Sequence, residues 1–224
     1  MAAKQLFDDW PDRYDRWFET PLGRAVLRYE SELVLDLLRP APGELILDAG
    51  SGTGLFTREF LGRGAGVAGI DISVAMLRRA QERAAPYPRR WAAADMACLP
   101  FRDATFDSTV SVAALEFIAD ARQAVAELFR VTKAGGTVVV ATLNRLSPWA
   151  DRRLADARRD PESLFRRVVF RSPAELLKAA LVAGIVRTAI HFGKDDEPGE
   201  FDRIEREGQG LDTGAFVAAR WEKK

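Results

Sequence analysis

The sequence predicts an α/β protein in which helices cover both faces of one doubly wound, mostly parallel sheet. Three observations carry that expectation. Short apolar runs alternate with stretches of helical length from residue 45 to residue 142. The runs are apolar throughout, as strands buried on both faces are. The first of them ends in a glycine cluster that opens a helix. At 224 residues the chain suits one sizeable core better than two small ones, so a single domain over 1–224 is expected.

The elements follow in order. Residues 12–38 read as helix broken once. Tyr14, Trp17 and Phe18 share a face and Pro21 opens a second helix. Leu27, Leu33, Val34, Leu37 and Leu38 then continue an apolar stripe, until Pro40 and Pro42 stop it. Residues 45–47 form a strand, 53–61 a helix and 67–71 a second strand. Ser73 is an N-cap candidate for a helix to about residue 84. Residues 91–94 are a weak third strand and 106–112 a fourth, rich in β-branched side chains. A helix over 120–131 leads through Gly135-Gly136 into the strongest strand, 137–142. Beyond it, 144–171 is rich in arginine, including Arg145, Arg152, Arg153, Arg158, Arg166 and Arg171. Trp149, Leu154 and Phe165 are expected to pack inward there. Ser172-Pro173 starts a helix to about residue 183, which Gly184 ends. Strands are expected over 186–192 and 215–221, with a charged loop at 193–210 between them. That loop shows no apolar period and reads as mobile or as an oligomer contact. The count is seven strands, the last antiparallel.

Composition narrows the partners. Hydrophobic residues make up 47% and charged residues 29%, as in ordinary soluble domains. Lys plus Arg and Asp plus Glu both number 33, so there is no global electrostatic case for nucleic acid or a membrane surface. Cys98 is the sole cysteine, which rules out an intrachain disulfide and a cysteine-built metal centre; no metal site is expected. The start of the chain lacks the apolar core of a secretory signal, and no apolar run would span a bilayer. The expectation is a cytoplasmic monomer or homodimer.

The segment from Glu44 to Gly54 carries most of the chemistry. Asp48 closes the first strand, and Gly50, Gly52 and Gly54 follow at alternate positions. Glycine allows positive φ and lets a ligand lie against the backbone, while the next helix aims its N-terminal N–H groups at that space. Asp71 ends the second strand, seventeen residues beyond Gly54, where an acid can accept from two ribose hydroxyls. Asp95 follows the third, where a carboxylate can accept from an adenine amino group. A bare strand-to-helix turn would need none of these acids.

These residues resemble a known family. Asp48-Ala-Gly-Ser-Gly-Thr-Gly54 looks like the first signature of class I S-adenosyl-L-methionine-dependent methyltransferases. Asp71 matches their ribose-binding acid, and 95–101 followed by Phe106-Asp107 is similar to their adenine-site motif. Residues 128–136 resemble the turn into strand five, and 14–18 the N-terminal cap helix of small-molecule members, of the methyltransferase-11-like kind. The resemblance implies a Rossmann-like fold, S-adenosylmethionine as cofactor and S-adenosylhomocysteine as product. It also implies cap helices over 1–40, a cofactor-binding core over 41–143, a lid and helix over 144–183 and C-terminal strands over 184–224. It places Asp48, Ala49, Gly50, Ser51, Gly52, Thr53 and Gly54 at the methionine moiety, Asp71 at the ribose, and Ile72 and Met76 beside the adenine. Asp95 faces the adenine amino group, with Met96 and Ala97 donating backbone contacts, and Val112 to Leu115 line the sulfonium side.

Methyl transfer from a sulfonium is an in-line displacement with a good leaving group, so holding the reactants collinear and dry supplies much of the rate. A strong general base is optional. Glu116, just past strand four, is the better base candidate, and Tyr14 could aim its hydroxyl at cofactor or acceptor. His191 reads as packed or surface, and Cys98 as a small buried hydrophobe. The arginines of 144–171 could receive an anionic acceptor, although a solvated helical face explains them as well. No Asn-Pro-Pro-Tyr type of sequence follows strand four, which argues against a DNA substrate. Two other readings compete. A nicotinamide-dependent oxidoreductase would want G-x-G-x-x-G, but here the third glycine comes one residue early and Leu55 stands in its place. A non-catalytic S-adenosylmethionine-binding regulator would keep the loop and acids without turnover. The acceptor, a small molecule, is not legible.

Overall fold

The computed structural model describes residues 4–87 and 90–224. Seven strands form one sheet in the order β3-β2-β1-β4-β5-β7-β6: β1 Leu45–Ala49, β2 Gly66–Asp71, β3 Trp91–Ala93, β4 Phe106–Val112, β5 Thr132–Leu143, β6 Gly184–Ala189 and β7 Phe216–Glu222. The strands from β3 to β5 pair in parallel, while β7 runs antiparallel between β5 and β6. This is the doubly wound Rossmann-like sheet with an antiparallel last strand.

Strand residues alternate between two cores, because successive side chains leave a sheet on opposite faces. Ile46, Val139 and Phe216 enter one core, beneath α2 (Pro21–Leu38) and α3 (Leu55–Gly62). Leu47, Val140 and Val217 enter the other, beneath α5 (Ala121–Val131) and α7 (Pro173–Leu177). Helix starts follow local chemistry. Thr20 caps α2 by accepting from the Gly23 N–H, Ser73 caps α4 (Val74–Arg83), and Asp120 caps α5. α1 (Pro11–Phe18) lies ahead of α2, and α6 (Pro148–Arg159) begins at the Ser147 cap. No helix among the described residues is long and apolar enough to cross a membrane.

Several expectations need correction. The helix after Ser172 spans only Pro173–Leu177, and Gly184 is the first residue of β6 instead of a helix stop. A side chain at 184 would collide with the Trp221 indole, 2.3 Å from the added Cβ, so glycine is required by cross-strand packing. β6 ends at Ala189, short of residue 192, and Ile190 after it takes a left-handed φ of +67°. The charged segment 193–210 contains α8 (Phe201–Gly208), which buries Phe201, Glu205 and Gly208 at helical spacing. Only one apolar anchor stands among those three, too few to show as a period. Cys98 is exposed, because it sits in a turn beyond β3, outside the sheet. Leu154 is also exposed, on the outer face of α6.

Candidate active site

A cavity of about 790 Å³ opens along the carboxyl edge of β1 to β5, where the strand order reverses between β1 and β4. That is where ligands settle on doubly wound sheets, and the volume lies within the usual range for such sites.

The cofactor-side wall begins at the glycine loop. Gly50, Gly52 and Gly54 all have positive φ. A Cβ on Gly50 would come within 2.4 Å of the Ala114 Cβ, whereas one on Gly52 would meet only open space. Gly50 therefore serves the close approach of loop to loop, and Gly52 leaves the cavity wall bare. The loop is fastened from β2: the N–H groups of Gly50 and Ser51 both donate to the Ile70 carbonyl, and Gly52 N–H donates to Asp71 Oδ2 at 2.9 Å. Asp71 Oδ1 accepts from Ser73 N–H at 2.8 Å. Burial raises the Asp71 pKa, and these backbone donors work against it. Asp48 is buried, accepts from the Thr57 hydroxyl, and is pushed up to about 7 by burial, with Asp71 adding to the rise. Both acids could face a positively charged ligand group.

Of the expected site residues, Asp48, Gly50, Ser51, Gly52, Thr53, Asp71, Ile72, Met76, Asp95, Met96, Ala97 and Val112 line this cavity, together with Tyr14 and Glu116. Three do not. Ala49 and Leu115 turn into the core beneath α5, and Gly54 packs against Ala80 as the left-handed cap of α3. The Ala97 N–H is not free for a ligand either, since it donates to Asp95 Oδ1 at 2.8 Å in a local turn.

Glu116 owes its place to a sharp exit from β4. Ala113 takes a left-handed φ of +51°, and a short 3-10 turn at Leu115–Phe117 follows. Arg171 holds that turn, donating to the carbonyls of Leu115 at 2.9 Å and Ile118 at 2.8 Å. One arginine of the basic segment is thus a buried structural clamp. The Glu116 carboxyl accepts from the Thr142 hydroxyl at 2.9 Å and is pushed up to about 7 by burial.

One wall residue, Glu30, had no part in the expectations, and a second, Arg153, entered them only as one arginine of the basic stretch. Glu30 from α2 and Arg153 from α6 both face the cavity. Burial pushes Glu30 up to about 8 and lowers Arg153. A signal was present in the sequence: Glu30 stands four residues from Val26 and from Val34, and Arg153 four from Trp149 and from Ala157. Each charge lies on a buried helix stripe, where a charge asks for a reason. The N-terminal segment closes the cavity. Asp8 accepts from the Ser73 hydroxyl and Asp15 from the Thr53 hydroxyl, both at 2.7 Å, and Phe7 meets Phe117 edge-on.

Residues 47–140 match the family model of the methyltransferase domain. The chain is 38% identical over 145 residues to the demethylmenaquinone methyltransferase of Thermobifida fusca, covering 63% of this chain and 61% of that protein. It is 36% identical over 119 residues to the malonyl-[acyl-carrier protein] O-methyltransferase of Serratia marcescens, covering 53% and 46%. The chain thus spans roughly half to three fifths of these curated relatives. Among solved structures it is similar to a Thermotoga maritima protein described as an S-adenosylmethionine-dependent methyltransferase and possible histamine N-methyltransferase. There the TM-score is 0.79 at 25% identity, over 97% of this chain and 98% of that one. A methyltransferase domain thus covers the central strands, and a methyltransferase of known structure is similar to the chain from end to end.

Proposed function

We propose that this protein transfers the methyl group of S-adenosylmethionine to a small-molecule acceptor, releasing S-adenosylhomocysteine. One observation carries the reading: a single cavity joins a glycine-walled crevice bearing Asp48, Asp71 and Asp95 to an aromatic chamber bearing Tyr14 and Glu116. A crevice alone would bind a nucleoside; the adjoining chamber gives a second reactant somewhere to sit.

The residues fit the cofactor by their chemistry. The remaining lone pairs of Asp71 suit ribose hydroxyls, since each of its oxygens accepts one backbone N–H in the structure. Ile72 is 48% exposed although apolar, and with Met76 offers a surface for a purine face. Asp95 and Met96 suit the purine edge. Asp48 and the bare backbone of 50–53 suit an amino-acid moiety with its cationic centre. The bound cofactor supplies an electrophilic methyl group on a sulfonium. The chain would contribute orientation and dryness, with Phe7, Trp10 and α1 lining the site, and Glu116, which lines the same cavity, would accept a proton.

Release of S-adenosylhomocysteine across a panel of small acceptors, alongside titrations with S-adenosylmethionine and NADH, tests the reading. Turnover with at least one acceptor and no response to NADH is expected. NADH binding without any response to the sulfur nucleosides would overturn it, and binding without turnover on any acceptor would favour a regulator.

A further inference from the structure

The chain from 94 to 105, between β3 and β4, forms no helix or strand, yet its first residues, Ala94 to Ala97, line the crevice. Irregular stretches of this kind are ordinarily the mobile part of a fold. Here α5 fastens it. Gln123, Glu127 and Arg130 stand at i, i+4 and i+7 of that helix, a polar stripe beside the buried one of Ala124, Leu128 and Val131. Gln123 Nε2 donates to the Ala97 carbonyl at 3.0 Å, and Glu127 Oε2 accepts from the Leu99 N–H at 2.7 Å. Arg130 donates to the carbonyls of Leu99 at 3.0 Å and Phe101 at 2.8 Å. It also grips both Glu127 oxygens, at 2.7 and 2.8 Å, which holds that carboxyl below its ordinary range. Ala97 is thereby held from both sides. Its carbonyl accepts from Gln123, and its N–H donates to the Asp95 carboxylate, whose backbone carbonyl accepts from the Cys98 N–H at 3.0 Å. None of the three α5 side chains lines the cavity. Their bonds reach it only through the backbone that carries Asp95.

We propose that Gln123, Glu127 and Arg130 are positioning residues that set the base specificity of the crevice, by fixing the Asp95 carboxylate where an exocyclic amino group can donate to it. The proposal rests on the methyltransferase reading above. Its consequence is a choice between adenine and hypoxanthine, which carries a carbonyl where adenine carries its amino group. A carbonyl oxygen has no hydrogen to give, so against a fixed carboxylate two acceptors meet and both stay unpaired. A carboxylate free to swing away would escape that penalty and would lose the adenine bond as well. The other end of the ligand should not feel the change. Asp71 and the glycine loop are tied to each other and to β2, through the Ile70 carbonyl and the Gly52 N–H, and not to α5.

Calorimetry on the full chain with S-adenosylhomocysteine and S-inosylhomocysteine, which differ only at that one group of the base, tests this. The unsubstituted protein is expected to prefer the adenosyl form by about 30-fold. Arg130→Met keeps the length and the apolar stem of the side chain but frees the backbone of Leu99 and Phe101. It should cut the preference to about fivefold or less, through weaker binding of the adenosyl form, with the inosyl form unchanged or tighter. Gln123→Leu, at an exposed position, should cut the preference about threefold in the same manner. A preference unchanged in the folded variants overturns the proposal, and so does an equal loss of both ligands, which is what a merely structural role would give. Should thermal melts show that Arg130→Met does not fold, Gln123→Leu decides alone. The unsubstituted chain separates the two claims. No binding of S-adenosylhomocysteine removes the methyltransferase reading and this proposal with it, whereas binding without preference over the inosyl form removes only this one.

Discussion

Glu30 lies on the stripe that drives α2 into the core, yet its carboxyl is held near 8 by burial and by Glu116, with Arg153 pulling it down and Tyr14 facing it from α1. A carboxyl raised from its ordinary 4.5 binds its proton more tightly folded than unfolded. Its stabilising contribution is complete below the unfolded value and is lost as pH climbs through the folded one. Thermal melts of the ligand-free protein should therefore drop between pH 5 and pH 9. Glu30→Gln should melt close to the unsubstituted protein at pH 5 and gain on it at pH 9, by on the order of 3 kcal/mol. A variant equally weakened at both pH values would contradict the assignment. The glycine loop offers a second test at this scale. Gly50→Ala would press on Ala114 at 2.4 Å in a left-handed conformation, so it should cost more than the roughly 1–2 kcal/mol that φ alone imposes. Gly52→Ala meets open space and should cost only that strain in stability, while weakening the nucleoside more than tenfold because its methyl stands on the cavity wall. Urea titrations paired with S-adenosylhomocysteine binding distinguish the two.

Among the elements, α8 shows where pattern reading runs short. Its eight residues, Phe201–Gly208, carry two large apolar side chains, Phe201 and Ile204, amid acids and arginines. What anchors it is polar: the Glu205 carboxylate accepts from the N–H groups of Ile190 at 3.0 Å and His191 at 2.8 Å, just past the end of β6. Glu205→Ala leaves two N–H donors without acceptors and should cost about 3 kcal/mol, a fall in Tm of about 10 °C, measurable by calorimetry. Glu205→Gln, keeping one acceptor, should recover part of it. By contrast, β1 to β5 and their helices were legible because continuous apolar runs, N-caps and glycines are local signals. β6 and α7 were misplaced because Gly184 answers to Trp221, a residue far away in sequence. The acids of the crevice were legible from spacing after each strand. Glu30 was not, and Arg153 only as one arginine among many, since their meaning depends on α2 and α6 closing over the same space.

At the scale of the molecule, a parallel sheet places the carboxyl ends of β1, β2, β3 and β4 side by side, so that Asp48, Asp71, Asp95 and Glu116 converge from distant stretches of chain. The cap then closes on them through polar latches to the loops that would hold the nucleoside, Asp15 with Thr53 and Arg83 and Asp8 with Ser73. Because those latches sit on the nucleoside loops, S-adenosylhomocysteine should slow proteolysis of the N-terminal segment, and Asp15→Ala should remove most of that protection. The account as a whole depends on the crevice gripping an adenosyl group through Asp71. The direct measurement is the heat of S-adenosylhomocysteine binding to the unsubstituted chain and to Asp71→Ala at one pH. Binding by the first and a loss on the order of 3 kcal/mol, about 100-fold, in the second is predicted. Equal affinity in both, or no binding to the unsubstituted chain, would contradict it.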